Sequence, residues 1–196
     1  AALKTAQVSS LTTDQVVALT TAQASKLSSA QLVSMTTQQI AAMESDDLVS
    51  LTTAQVSSMT SAQIVALTTY QISKLLTAQI SALSTQAIAA IETDDIAALT
   101  TAQVAAMTTN QIKALATNQV VALTTAQTAS LKTAQLLAFS TNQLRALETT
   151  DFAALTTAQL VVLLTSQISS LSTAHIAAIT TSQISSLSTN QLTAFT

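Results

Sequence analysis

The sequence predicts an all-α solenoid, a superhelix of short helical segments restarted every eight residues. Three observations predict it. The phrase apolar-x-Thr/Ser-x-Gln-apolar-x-x returns without a skipped residue from Leu3 to Ala194, which is 24 octads over 192 residues. Most octads carry a helix-start signature, a hydroxyl followed at short spacing by Gln and bracketed by two large apolar residues. Gly, Pro and Cys are absent and charged residues are only 8%, so the turn and corner residues of other short-repeat folds are missing.

With the octad numbered from its leading apolar residue, position 1 is Leu, Met, Ile or Phe throughout and position 3 is Thr or Ser throughout. Position 5 is Gln except at Asp47, Ala87, Asp95, Asp151 and His175, and position 6 is a large aliphatic residue or Phe except at Ala24 and Thr128. Positions 7 and 8 are mostly Ala or Ser, while position 2 also admits Glu, Lys, Leu and Ala. One uninterrupted helix does not fit, because eight residues overshoot two turns by about 80° and the apolar stripe would walk around the axis. A heptad coiled coil fails for the same reason. The alternative is a β-solenoid, which Thr, Val and Ile favour. Against it, the pattern never alternates and the Gly or Asn corners of tight β-coils are missing.

A helix restarted in every octad needs a start and a stop. Thr-x-x-Gln at positions 2 and 5 matches a capping box, with positions 1 and 6 as the apolar staple around it. Position 2 loses its hydroxyl at Lys4, Leu76, Ala116, Lys132 and Leu164, so the expected N-cap is the constant hydroxyl at position 3. On this reading Thr5, Thr13, Thr21, Ser29, Thr37, Ser45, Thr53, Ser61 and Thr101 are caps, and position 2 is a facultative second cap. A helix of five or six residues is unstable alone, so each octad must share its apolar side chains with stacked neighbours.

Residues 1–196 therefore read as a single continuous array. It opens in phrase at Leu3, closes on the start of a further octad, and shows no atypical terminal repeat, as expected of an excerpt from a longer repeat region. A Thr/Ser/Gln group interrupts every octad, which leaves no apolar run long enough for a transmembrane helix. A net charge of -3 offers no electrostatic footprint for nucleic acid.

Three octads depart from the phrase together: "MESDDLVS" at 43–50, "IETDDIAA" at 91–98 and "LETTDFAA" at 147–154. Glu at position 2 and Asp at position 5 occur only there, which makes Glu44, Asp46, Asp47, Glu92, Asp94, Asp95, Glu148 and Asp151 the candidate charge-cluster or cation residues. Three roles are open to them: helix-start solvation, lateral pairing with Lys or Arg145, and a shared Ca²⁺. Without a Gly-bearing loop they match no calcium motif, so no cofactor is expected, with Ca²⁺ the exception to watch. Their starts lie 48 and 56 residues apart, and Lys26 and Lys74 each precede a Glu of an acidic octad by 18, so a unit of six to seven octads is superimposed on the short one.

Nothing else carries chemistry. His175 stands in a Gln position with no second His or Cys to complete a metal site, and no base is placed to activate a Ser or Thr. Met35, Met43, Met59 and Met107 occupy position 1 and read as core. Tyr70, at position 4, is the aromatic residue expected outside.

The stretch "LTTAQVAAMTTNQIKALATNQVVALTTAQ", residues 99 to 127, resembles the Thr/Gln-rich, LTTAQ-type octapeptide arrays of large bacterial secreted and cell-surface proteins. The resemblance covers nearly the whole chain and implies an adhesin-like, extracellular or cell-surface setting, with no catalytic or binding residues to carry over. The expected function is a non-enzymatic stalk, spacer or fibre segment that associates with itself or with fibre neighbours. The alternative is an ice- or glycan-binding surface built on the Thr and Gln rows.

Overall fold

A computed structural model describes residues 3–195, and among these the chain is all-helical, with one short helix in every octad and no strand. The helices, numbered along the chain, begin with α1 (Thr5–Ser9), α2 (Thr13–Val17), α3 (Thr21–Ala24), α4 (Ser29–Ser34), α5 (Thr37–Ala42) and α6 (Ser45–Ser50). They continue with α7 (Thr53–Ser58), α8 (Ser61–Val65), α9 (Thr69–Lys74), α10 (Thr77–Ala82), α11 (Thr85–Ala90) and α12 (Thr93–Ala98). These twelve belong to a first compact unit, Ala1–Leu99.

The second unit, Thr100–Thr196, holds α13 (Thr101–Ala106), α14 (Thr109–Ala114), α15 (Thr117–Val121), α16 (Thr125–Ser130), α17 (Thr133–Ala138) and α18 (Thr141–Ala146). It ends with α19 (Thr149–Ala153), α20 (Thr157–Leu160), α21 (Thr165–Ile168), α22 (Thr173–Ala178), α23 (Thr181–Ile184) and α24 (Thr189–Leu192).

Every helix starts at position 3, and the caps lie one residue earlier than expected. Thr5, Thr13, Thr21, Ser29, Thr37, Ser45, Thr53, Ser61 and Thr101 are the first helical residues, not the N-caps. The N-cap is position 2. Thr36 is extended (φ -71°, ψ 161°), and its Oγ1 accepts the Gln39 backbone N–H at 3.2 Å. In return the Thr36 N–H donates to Gln39 Oε1 at 2.7 Å. This is the capping box, with positions 1 and 6 at N′ and N4 as its staple.

Where position 2 is Lys, Leu or Ala, the Gln half persists: the N–H groups of Lys4, Leu76, Ala116, Lys132 and Leu164 donate to Gln Oε1 at 2.8, 2.8, 2.8, 2.7 and 2.9 Å. The glutamine keeps the start, so the hydroxyl is dispensable, and that is why position 2 varies.

The stop is as local as the start. The N–H of each position 1 returns to the carbonyl of the preceding position 6, as from Met43 to Ile40 at 3.2 Å. Positions 1 and 2 are then both extended, for example Leu51 (φ -65°, ψ 139°) and Thr52 (φ -69°, ψ 158°). This two-residue link re-aims the chain into the next helix. It uses no positive φ among the described residues, which is the conformation for which glycine is ordinarily needed. Proline is unsuited to either link position because both N–H groups are committed.

Within each unit, a helix packs on the third one along. In the first unit the stacks are α1–α4–α7–α10, α2–α5–α8–α11 and α3–α6–α9–α12, and in the second α13–α16–α19–α22, α14–α17–α20–α23 and α15–α18–α21–α24. Three octads, 24 residues, therefore make one turn of each unit's solenoid. Positions 1 and 6 are buried in most octads, Ile40, Ile64 and Ile72 completely, although Leu3 and Leu192 are exposed, and positions 2 to 4 mostly face solvent. The four methionines fall in the position-1 row: Met35, Met43, Met59 and Met107 are all buried.

Candidate functional site

Position 5 is the most elaborate position of the octad, and its second task is not evident from the local pattern. Besides holding its own cap, a glutamine with a turn before it in its unit sends its amide Nε2 across the seam to carbonyls of that turn. Gln39 Nε2 donates to the carbonyls of Val8 at 3.1 Å and Leu11 at 2.7 Å. Gln63 reaches Leu32 and Met35, both at 2.9 Å, and Gln79 reaches Leu48 and Leu51, both at 2.8 Å. The second unit repeats it: Gln135 to Val104 and Met107 at 2.9 and 2.8 Å, Gln143 to Ile112 and Leu115 at 2.9 and 2.7 Å. These glutamines are buried, so the bonds form away from water and leave few unpaired amides behind. Serines at position 8 add to the seam, Ser34 to the Thr5 carbonyl and Ser130 to the Thr101 carbonyl, each at 3.2 Å.

His175 takes over this role with an imidazole. Its Nε2 lies 2.8 Å from the Leu147 carbonyl and its Nδ1 lies 2.6 Å from Ser172 Oγ. A carbonyl only accepts, so Nε2 carries the proton and Nδ1 accepts from Ser172. Phe152 meets the ring edge-on, with centroids 5.3 Å apart. Both nitrogens are used by the fold, and a Ser–His pair at hydrogen-bond distance here is a capping box in another form. Ala87 has no amide to offer, but its N–H is still capped by Ser84 Oγ at 3.1 Å.

The acidic octads abandon both halves of the box at once. Glu44, Glu92 and Glu148 occupy the N-cap and make no side-chain cap bond. Their side chains are exposed, as are those of Asp46 and Asp94, whereas Asp47, Asp95 and Asp151 are buried in the glutamine position. Asp151 Oδ1 accepts from Thr125 Oγ1, one turn earlier, at 2.6 Å. Asp47 Oδ2 is buried without a partner. Burial pushes the Asp47 carboxyl above its ordinary value of 3.8, and the neighbouring Glu44 and then Asp46 add to the effect.

The longer recurrence has a simple geometry in the first unit. Octads 48 residues apart are two turns apart, so α6 and α12 share one stack with α9 between them. Lys74 of α9 places its ammonium 4.9 Å from the centre of the Tyr70 ring on the same helix. Tyr70 is 64% exposed and borders a shallow groove with Glu44, Asp46, Thr68 and Gln71. The third acidic octad, α19, belongs to the second unit, on the stack α13–α16–α19–α22. Among the described residues no three His, Cys, Asp or Glu side chains come together as a metal site. Nor is any helix among them long and apolar enough to cross a membrane.

The chain matches a family model, that of the ALTTAQ repeat, at residues 1–29, 40–77, 88–125, 128–165 and 144–181. Comparison with curated proteins returns no match.

Proposed function

Because the chain belongs to the ALTTAQ repeat family, we propose that it is a structural spacer, a non-catalytic stalk or fibre segment of a bacterial surface or secreted assembly. One observation carries the reading: every long-range bond of the described seam links an octad to the turn before it. Such a fold lengthens by adding turns and needs no central core. The surface supports the setting, being built mostly of Thr, Ser and Ala in a chain with 8% charged residues and a net charge of -3, and thus tolerant of changing salt. The partners assigned are further copies of the same repeat in neighbouring molecules.

Small-angle scattering tests the spacer directly. A compact chain of this length would have a radius of gyration of about 16 Å. A rod-like spacer must exceed that clearly and give a cross-section that stays constant when octads are added. A value near the compact one would remove the reading. Sedimentation over a range of protein concentration tests self-association.

A second reading, an ice- or glycan-binding face, is favoured by one finding. Position 3, a hydroxyl in every octad, is solvent-facing and is not the cap. Thermal hysteresis or glycan retention lost on replacing one stack's position-3 threonines by Val would support it, and absence of both activities in the intact chain would exclude it.

A further inference from the structure

We propose that the seam between α3 and α6 is proton-operated, with neutral Asp47 donating its one carboxyl hydrogen to the carbonyl of Val16 or of Leu19. Mild acid then fastens this turn and neutral pH loosens it. Asp151 meets its seam as an acceptor from Thr125 Oγ1, but glutamine at position 5 is a donor. Its side chain donates to the carbonyls 31 and 28 residues earlier, as Gln39 does to Val8 and Leu11 and Gln63 does to Leu32 and Met35. For Asp47 those residues are Val16 and Leu19.

A carboxylate has no hydrogen to give and meets carbonyl oxygens as one acceptor meets another, while a carboxylic acid is a donor. Asp47 is 2% exposed and its Oδ2 has no partner, the state expected of a group placed where only a donor is satisfied. The α3–α6 seam still closes elsewhere, since Ser50 Oγ donates to the Thr21 carbonyl at 3.2 Å, so the switch acts on a formed turn.

Burial and the two acidic neighbours favour the proton, and the lysines are the groups that oppose it. α6 itself contributes Glu44 and Asp46. From the packed elements, α3 brings Lys26 just past its end, and α9 brings Tyr70 and Lys74, with Lys74 held over the Tyr70 ring. The raised carboxyl value agrees in direction. Its sign is that of a group protonated more readily in the fold than in the unfolded chain. The neutral form's stabilisation is complete below 3.8 and is lost as pH rises through the folded value.

The test compares the 196-residue chain with Asp47→Gln and Asp47→Asn by urea unfolding from pH 7 down to about 4. The proposal expects the parent's midpoint to climb on acidification by more than that of Asp47→Gln, which carries a permanent donor. At pH 7 Asp47→Gln should unfold with an equilibrium constant lower by roughly tenfold. Parallel pH curves for parent and Asp47→Gln would overturn it. A carboxyl-carbon NMR titration of the parent gives an independent reading. Asp47 should titrate above Glu44 and Asp46, and a titration at or below theirs would overturn the proposal whatever the variants do.

Discussion

At the scale of the residue, glutamine at position 5 outweighs the hydroxyls around it. Gln143 accepts from the Ser140 N–H at 2.9 Å and donates to two carbonyls one turn earlier, while Ser140 Oγ accepts a single N–H at 3.2 Å. Gln143→Ala strands buried groups on both sides and should cost about 2–4 kcal/mol, against about 0.5–2 kcal/mol for Ser140→Ala. Denaturant unfolding of the two variants checks the order, and equal costs would refute the primacy of the amide. Thr128 is the converse case, a hydroxyl at position 6 whose Oγ1 is buried without a partner. Thr128→Val keeps the shape and removes the orphan, so stability should rise by about 1–3 kcal/mol. A loss on the same measurement would show that the hydroxyl is satisfied in solution.

At the scale of the element, the helix in each octad was legible because every signal for it is local. The staple at positions 1 and 6, the Gln three residues after the cap and the two-residue link all lie within eight residues, and α5, α7 and α13 run over positions 3 to 8. The constancy of Thr101 and its equivalents points to the wrong residue for the cap, one position too late. The structure shows Thr100 at the cap, with Oγ1 accepting the Gln103 N–H at 3.2 Å. Thr100→Ala should accordingly cost about 0.5–2 kcal/mol and Thr101→Ala little. Supplying the missing hydroxyl by Ala116→Thr should stabilise α15 by a similar amount. Thermal unfolding of the three variants decides, and a larger loss for Thr101→Ala would reverse the assignment.

At the scale of the whole molecule, the three-octad turn was not legible, since nothing within an octad marks every third one. The clue was the 48-residue spacing of Glu44 and Glu92, a multiple of 24 that an expectation of six to seven octads left undivided. The cross-seam task of glutamine was hidden for the same reason, its acceptors lying 28 to 31 residues away. The turn makes a prediction about deletions. Removing residues 51–58 takes out one whole octad, keeps the phrase, and should preserve helical circular dichroism with only a modest fall in stability. Removing 51–54 breaks the phrase and should unfold the neighbouring turns, seen as lost amide-exchange protection around the cut. Equal tolerance of both would mean that the seam does not depend on register.

The seam also has a direction. The glutamine amides donate toward earlier residues, as Gln183 does to the Leu155 carbonyl at 2.6 Å and Gln191 to Leu163 at 2.9 Å. A chain leaving the ribosome from its N-terminus meets this asymmetry in its favourable sense: each new turn finds its acceptors already in place, and no finished turn holds an amide waiting for residues not yet made. The link carbonyls that wait are exposed to water meanwhile, which serves an acceptor well. The array thus works as a one-way template, with each completed turn the mould for its successor. Vectorial synthesis and folding can proceed at the same pace, with the unsatisfied edge confined to the growing end.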